Sequence, residues 1–151
     1  MIESIFVAAE KGSSPVEVHE IQVVARSGIV GDRHFNKHRV PGENMTLIEA
    51  EEVERFNTAY GQSIEAGSTR RNIVTRSVRL NELVGQQFKI GDVVLYGVEL
   101  CEPCSKFGKA LASSDMESKD VIKAWIHKAG LRVDVQVGGI IRMGMNLKID
   151  V

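Results

Sequence analysis

Cysteine and proline are both scarce in this chain, and neither sign of charge is in excess. Of 151 residues two are cysteine and three are proline, and 19 Lys and Arg stand against 20 Asp and Glu, for a formal net charge of -1. Near-neutrality excludes a whole-surface attraction to nucleic acid or to an anionic membrane, so any anion binding must come from a local group of cations. The N-terminal MIESIFVAAEKGSSP has an apolar run too short for a membrane span or a secretory h-region, and it carries Glu3 where a signal peptide carries Lys or Arg. The chain therefore reads as cytoplasmic. In that compartment thiols stay reduced, and two cysteines point to chemistry or metal binding before a structural bridge.

What the sequence does hold is enough apolar residue for a core. With 43% hydrophobic content, one domain over residues 1–151 is expected to bury about 70% of its unfolded-chain surface. No repeat, linker or low-complexity segment divides it. Strand patterns fall at Ile2–Ala8, Val16–Val24 with a slip at His19-Glu20, Met45–Ile48, Asn72–Thr75, Gln86–Ile90, Val93–Leu100, Arg132–Val137 and Gly144–Val151. Gly91-Asp92 is a hairpin turn between two of them. Helical spacing falls at Glu49–Tyr60, with acids in its first turn and Gly61 as its stop, and at Ser105–Ala112 and Lys119–Lys128. Asp32–Glu43, DRHFNKHRVPGE, has no periodicity and carries basic and imidazole groups, so it reads as a cationic loop. Many short strands with two or three peripheral helices favour a mainly β fold, a barrel or a strongly curved sheet.

Both cysteines lie in ELCEPCSKFGK, as Cys101 and Cys104. A redox dithiol is one reading, since Cys-x-x-Cys at a helix start lowers a thiol pKa and supplies a resolving partner. Thioredoxin-like folds also need a later proline facing the motif, and here Pro15, Pro41 and Pro103 all fall before Cys104. A zinc site would need two of His19, His34, His38 and His127, and only His34 and His38 have ligand spacing. A third reading makes both cysteines small buried residues at a strand end. The fourth gives the chemistry to Cys104, just before the helix Ser105–Ala112, where the helix dipole, Lys106 and Lys109 all favour a thiolate. A bound metal would complete the deprotonation, which explains the site better than unaided nucleophilic attack.

Five segments in register, GIVGDRH, MTLIEAEEVERF, RRNIVT, LNELVGQQFKIGDVVL and CEPCSKF, resemble the MOSC domain, the C-terminal domain of molybdenum-cofactor sulfurases. The resemblance spans nearly the whole chain and is to the small stand-alone bacterial members. It implies a β-barrel of pyruvate-kinase barrel-domain type, and a molybdenum-cofactor-binding or sulfur-carrying role, either as a sulfur transferase or a molybdopterin-dependent oxidoreductase. The family cysteine that follows a proline falls on Cys104, as metal ligand or persulfide carrier, with Cys101 an incidental or resolving thiol. The family's basic motif falls on Arg70, Arg71 and Asn72, and its Gly-Asp-Arg-His motif on Gly31, Asp32, Arg33 and His34. Arginine forks suit phosphate and Asn or Asp suit pterin edges, so Arg33, Arg70, Arg71, Asn72 and Asp32 are the implied cofactor-binding residues, and His34 an implied proton shuttle. The implied partners are molybdopterin or a sulfur-donating or sulfur-accepting protein. Pyridoxal phosphate is not expected, because its Schiff-base lysine belongs to the sulfurases' aminotransferase-like domain. The resemblance departs at Gly144-Met145, where the family often has Gly-Asp before its last strand. Two other functions remain open from the residues themselves: a cytosolic thiol-disulfide protein, and a non-catalytic module that delivers cofactor or sulfur.

Overall fold

Alternation along the strands sends neighbouring residues into two different cores. In the computed structural model, which describes residues 1–149, strand β5 (Met45–Glu49) places Leu47 in one core and Ile48 in the other, and β6 (Ile73–Thr75) does the same with Ile73 and Val74. These two strands pair in parallel, so both of their faces are covered, as parallel pairs require. The inner core is closed by strands together with Leu80 and Leu83 of a 3-10 turn. The outer one lies under three helices, α1 (Ala50–Tyr60), α2 (Ser105–Leu111) and α3 (Ser118–Trp125), and centres on Trp125 packed between Phe56 and Phe107.

The remaining strands are β1 (Ile2–Val7), β2 (Val16–Val18), β3 (Glu20–Val24), β4 (Gly28–Ile29), β7 (Gln87–Ile90), β8 (Val93–Leu100), β9 (Leu131–Val137), β10 (Gly139–Arg142) and β11 (Leu147–Ile149). Eight form one sheet in the order β11-β7-β8-β9-β5-β6-β1-β2, and three form a second in the order β10-β3-β4. The mainly β class with peripheral helices is therefore observed, but the large sheet does not close on itself as the expected barrel would. Its two edge strands are β11 and β2. The physical reason lies at two chain breaks: β2 gives way to β3 at His19, and β9 to β10 at Gly138, so two continuous segments leave the large sheet and pair with each other as the small one. Ile21, Val23, Ile29 and Ile141 of the small sheet then cap the inner core. The first residue of β1, beyond its pairing with β2, is tied to the segment that precedes β11 by single bonds. The Ile2 N–H donates to the Met145 carbonyl at 2.8 Å, and the Gly144 N–H donates to that of Ile2 at 2.7 Å.

Element bounds follow the sequence pattern to within a few residues. The slip at His19-Glu20 is a change of sheet rather than a bulge within one strand. Strands β4 and β10 and the 3-10 turns at Ala66–Thr69 and Leu80–Leu83 were not expected. The strand expected over Gly144–Val151 forms at Leu147–Ile149, and its last two residues lie outside the described residues. No helix among the described residues is long and apolar enough to cross a membrane.

Topology brings the chemistry to one end of the large sheet. Strands β5 and β6 begin there and β1, antiparallel to β6, ends there, while β9 has its first residue and β8 its last beside the middle of the short β5, with Leu131 opposite both Leu47 and Leu100. The segments next to those strand ends therefore converge, Ala8, Asn44, Arg70 to Asn72 and Cys101 to Cys104, together with Arg132 near the start of β9, paired with Thr46.

Candidate functional site

A cavity of about 250 Å³ opens at this end, and Asp32, Arg33, His34, Arg70, Arg71, Asn72, Cys101 and Cys104 all line it. Lys106 and Arg132 complete its cationic wall. Residues from four separate stretches of sequence are thus brought together. Among the described residues, Arg33, Arg70, Arg71 and Lys106 have no carboxylate within ion-pair distance, while Arg132 meets Glu99 at 3.7 Å. Four cations at one cavity with no carboxylate within ion-pair distance among the described residues favour an anionic guest.

Cys104 is exposed and Cys101 is buried, and both are free thiols. The difference follows from the backbone. Cys101 directly follows β8, with its N–H donated to the Gly130 carbonyl at 2.8 Å, whereas Cys104 is the N-cap of α2, in extended conformation. Its carbonyl accepts from the Gly108 N–H at 2.9 Å, which starts the helix. Helix α2 sits close to α3 because residue 108 is glycine: a Cβ there would lie 2.5 Å from the Ser118 Oγ and 2.9 Å from its carbonyl oxygen. Partial burial pushes the Cys104 thiol up, but the backbone N–H groups of Phe107 and Lys106 and the Arg71 guanidinium outweigh it, and the thiol lies below its ordinary value. Cys104 makes no capping hydrogen bond of ordinary geometry, so these amides act on the sulfur as partial charges.

Arg71 is the most constrained of the cations. Its Nε donates to the Ala129 carbonyl at 2.8 Å and its Nη2 to the Cys101 carbonyl at 3.4 Å, while its guanidinium stands 4.8 Å from the centre of the Phe107 ring. Burial pushes the group below the ordinary arginine value, yet a guanidinium stays charged at any working pH. Arg70, beside it, has φ +61, a left-handed conformation uncommon outside glycine. Its N–H donates to the Gly67 carbonyl at 3.1 Å, and this tight end of the 3-10 turn at Ala66–Thr69 sets two successive arginines against one cavity.

Asn72 and Asp32 are buried and heavily used by the scaffold. The Asn72 Oδ1 accepts from the Thr46 N–H at 3.1 Å, and its Nδ2 donates to the Phe6 carbonyl at 3.2 Å, so one side chain ties β1, β5 and β6 together. The Asp32 carboxylate accepts from the N–H of Ala8 and from that of His34, each at 3.1 Å, and so anchors the start of the cationic loop. His34 is half-buried, with its Nδ1 3.0 Å from the Nε2 of His38. Burial, then Arg33, hold its imidazole below the ordinary histidine value.

Lys106, Arg132, Thr46 and Glu43 also line the cavity. Lys106 was legible as a neighbour of Cys104, but Arg132 stands in a strand 28 positions further on, and only the pairing of β9 with β5 brings it here. Lys37 and Arg39 are exposed and lie outside the cavity lining. No group of three or more His, Cys, Asp or Glu side chains among the described residues is arranged to hold a metal ion.

The site is thus a cavity with a largely cationic wall and one accessible thiol, set against an open, mainly β sheet. The MOSC domain profile matches residues 32–148, and the chain belongs to the MOSC domain family. Its fold is similar to that of the YuaD protein from Bacillus subtilis, with a TM-score of 0.86 at 14% identity over 98% of this chain and 93% of that one. It is also similar to YiiM from Geobacillus stearothermophilus, with a TM-score of 0.78 at 19% identity over 100% of this chain and 75% of that one. YiiM from Escherichia coli gives 0.70 at 13% identity, over 100% and 71% of the two chains. No curated protein matches in sequence.

Proposed function

We propose that the chain binds the molybdenum cofactor, or carries sulfur for it, with Cys104 as the metal ligand or persulfide carrier. One observation carries this reading: an exposed thiol, held below its ordinary pKa, shares a cavity with Arg33, Arg70, Arg71 and Lys106, which have no carboxylate partners among the described residues. The donor set fits the group. Forked guanidiniums suit a phosphate, and a lone thiolate suits a metal that its organic part already holds by other atoms, where a bare ion would need three or more protein ligands. Asp32 and Asn72 are the polar edges that line the cavity toward a pterin, and their bonds to Ala8, His34, Thr46 and Phe6 hold them in place. A cavity of about 250 Å³ is smaller than most small-molecule sites of roughly 300–1,000 Å³, so it accommodates the anionic, metal-bearing end of such a molecule with the rest outside. Bound there, the cofactor would supply oxygen- or sulfur-atom transfer chemistry at molybdenum. The chain's own residues fix the anion, present the thiolate and, through His34, accept a proton at an imidazole nitrogen.

The exposure of Cys104 supports the carrier version, because a sulfur handed to another protein must be reachable. The buried position of Cys101 weighs against equal roles for the two thiols in a dithiol cycle. The test is metal and pterin analysis of protein purified from a molybdate-fed, cofactor-competent host. Molybdenum and pterin should copurify with the unaltered chain and be lost from Cys104→Ser and Arg70→Ala but retained by Arg39→Ala. Equal retention by all three variants would sink the cofactor version, and absence of a persulfide on Cys104 after incubation with a persulfide donor would then sink the carrier version.

A further inference from the structure

The loop between β4 and β5 is built around two histidines. Asp32 receives the His34 N–H through its Oδ2, and the His34 carbonyl accepts from the Lys37 N–H at 3.2 Å. His38 is gripped at both ends of its backbone by the buried Asn44: its N–H donates to the Asn44 Oδ1 at 3.2 Å, and its carbonyl accepts from the Asn44 Nδ2 at 3.0 Å. The same Nδ2 reaches the Arg26 carbonyl at 3.3 Å, and Asn44 can sit this close to the β4 backbone because residue 28 is a glycine at φ +99, where a Cβ would come within 2.9 Å of that of Asn44. The result is a line of three titratable groups. His34 Nδ1 faces His38 Nε2 at 3.0 Å, and His38 Nδ1 faces Glu43 Oε2 at 3.5 Å.

Two facing imidazole nitrogens at 3.0 Å share one proton, so the tautomer of each ring dictates that of the other. A carboxylate beside the His38 Nδ1 favours a proton on that nitrogen. Neutral His38 then has an unprotonated Nε2, which must accept from the His34 Nδ1–H, and neutral His34 is left with its lone pair on Nε2. We propose that Glu43, His38 and His34 form a proton relay that presents an unprotonated His34 Nε2 to the cavity and passes a proton taken there on to the Glu43 carboxylate at the cavity rim. The transfer balances atom by atom. A proton arriving on His34 Nε2 releases the Nδ1 proton to His38 Nε2, which releases its Nδ1 proton to a Glu43 oxygen. Once the guest has left, His34 Nε2 gives its proton to water and the Glu43 proton returns along the same line to His38 Nδ1, with the His38 Nε2 proton passing back to His34 Nδ1, which restores the first tautomers. Glu43 is 44% exposed at its side chain, so water can solvate it while it holds the proton.

The surroundings suit a base rather than a resident cation. Facing His34 are Arg33 and Asp32 from its own loop, His38 beyond it, and Arg132 from β9; burial and the two arginines oppose an imidazolium there, with Asp32 opposing them. His38 and Glu43 are positioning residues in this scheme, since they act through His34. The proposal rests on the proposed function only for the identity of the guest that yields the proton.

The test is long-range 1H-15N NMR of the imidazoles in the full chain without cofactor, above pH 7. The expected spectrum shows both rings in the Nδ1–H form, the less common one for free histidine, with His34 Nε2 at a pyridine-type shift. Glu43→Ala should return both rings to the Nε2–H form, and Glu43→Asp should restore the original pattern at least in part, a rescue that a merely structural role for Glu43 would not require. A His34 found in the Nε2–H form in the unaltered chain, or one whose tautomer ignores Glu43→Ala, overturns the relay. Loss of cofactor retention as a property of the unaltered chain would overturn the proposed function and leave these tautomers as they are.

Discussion

The Nη2 of Arg71 lies 3.4 Å from the carbonyl oxygen of Cys101, and its Nε lies 2.8 Å from that of Ala129. A single guanidinium therefore joins the end of β8 to the start of β9, immediately before the turn that delivers Cys104. The same charge favours the Cys104 thiolate. Arg71 thus has a structural task and an electrostatic one, whereas Arg70, with no side-chain hydrogen bond among the described residues, is free to meet a guest.

This division predicts different outcomes at adjacent positions. Arg70→Ala should weaken binding of a phosphate-bearing guest by about 10- to 150-fold, the loss of charge-assisted hydrogen bonds worth ~1.5–3 kcal/mol, with little change in stability. Arg71→Ala should do the same and in addition lower stability by about 1–3 kcal/mol, because two carbonyls lose their donor. Arg71→Lys should recover little, since one ammonium cannot reproduce the planar fork. Equilibrium binding at fixed ionic strength and urea unfolding, with Arg39→Ala as the exposed control, separate the two tasks.

Cys104 should react with iodoacetamide faster than Cys101, with a pH midpoint below that of a free thiol, and Arg71→Ala should move that midpoint up. The linkage has a definite sign. A thiol whose pKa is lower folded than unfolded contributes stability that is present above the unfolded value and is lost as pH falls through the folded one. Unfolding midpoints across that window should therefore decrease as pH is lowered in the unaltered chain, and Cys104→Ser should remove that part of the slope. Cys101→Ser, placing a hydroxyl in a buried position, should instead lower stability at every pH.

How far the sequence carried this reading differs between fold and site. Strands β1, β5, β7, β8 and β9 were legible because apolar alternation and turn residues mark them locally, as at Gly91 with φ +59. β4, with two residues, and β10 were not, since their pairing with β3 is a long-range choice that no local pattern records. The same holds for the open sheet, which depends on two segments changing partners at His19 and Gly138. Of the residues that line the cavity, Cys104 stood out in the sequence by its motif, while Arg70 and Asp32 were pointed to by the resemblance to the MOSC domain. Arg132 did not, because an arginine on a strand is indistinguishable from a solvated one until the neighbouring strands are known. The double use of Asn72, as a lining residue and a scaffold bond, was equally invisible.

Gly108 tests whether the position of Cys104 depends on helix packing. A methyl group there would meet the Ser118 Oγ and its backbone carbonyl at distances no ordinary contact allows, so Gly108→Ala must push α2 away from α3. Overpacking of this kind typically costs about 1–3 kcal/mol, more than the helix propensity gained from alanine, roughly 1 kcal/mol. The expected result is a lower urea midpoint together with slower alkylation of Cys104, since the amides that favour its thiolate move with the helix. Faster or unchanged alkylation would mean that the turn from Cys101 to Cys104, rather than α2, fixes the thiol.

Asn72 separates scaffold from binding most sharply, because its amide accepts from Thr46 and donates to Phe6 at once. Asn72→Ala leaves a buried N–H and a carbonyl unpaired, and stability should fall by about 1–3 kcal/mol. Asn72→Asp keeps the acceptor for the Thr46 N–H but can donate to the Phe6 carbonyl only while protonated. Burial and that hydrogen bond both favour the neutral acid, so its pKa in the folded chain rises above the unfolded value. The consequence is a stability fully present below the unfolded carboxyl value and lost as pH rises through the folded one, the reverse of the trend expected for Cys104. Urea midpoints of Asn72→Asp measured from acid to neutral pH should fall relative to the unaltered chain. A flat difference would show that the carboxylate finds another cation in the cavity, with Arg70 and Arg71 the nearest in sequence, and that Asn72 faces the guest more than the strands.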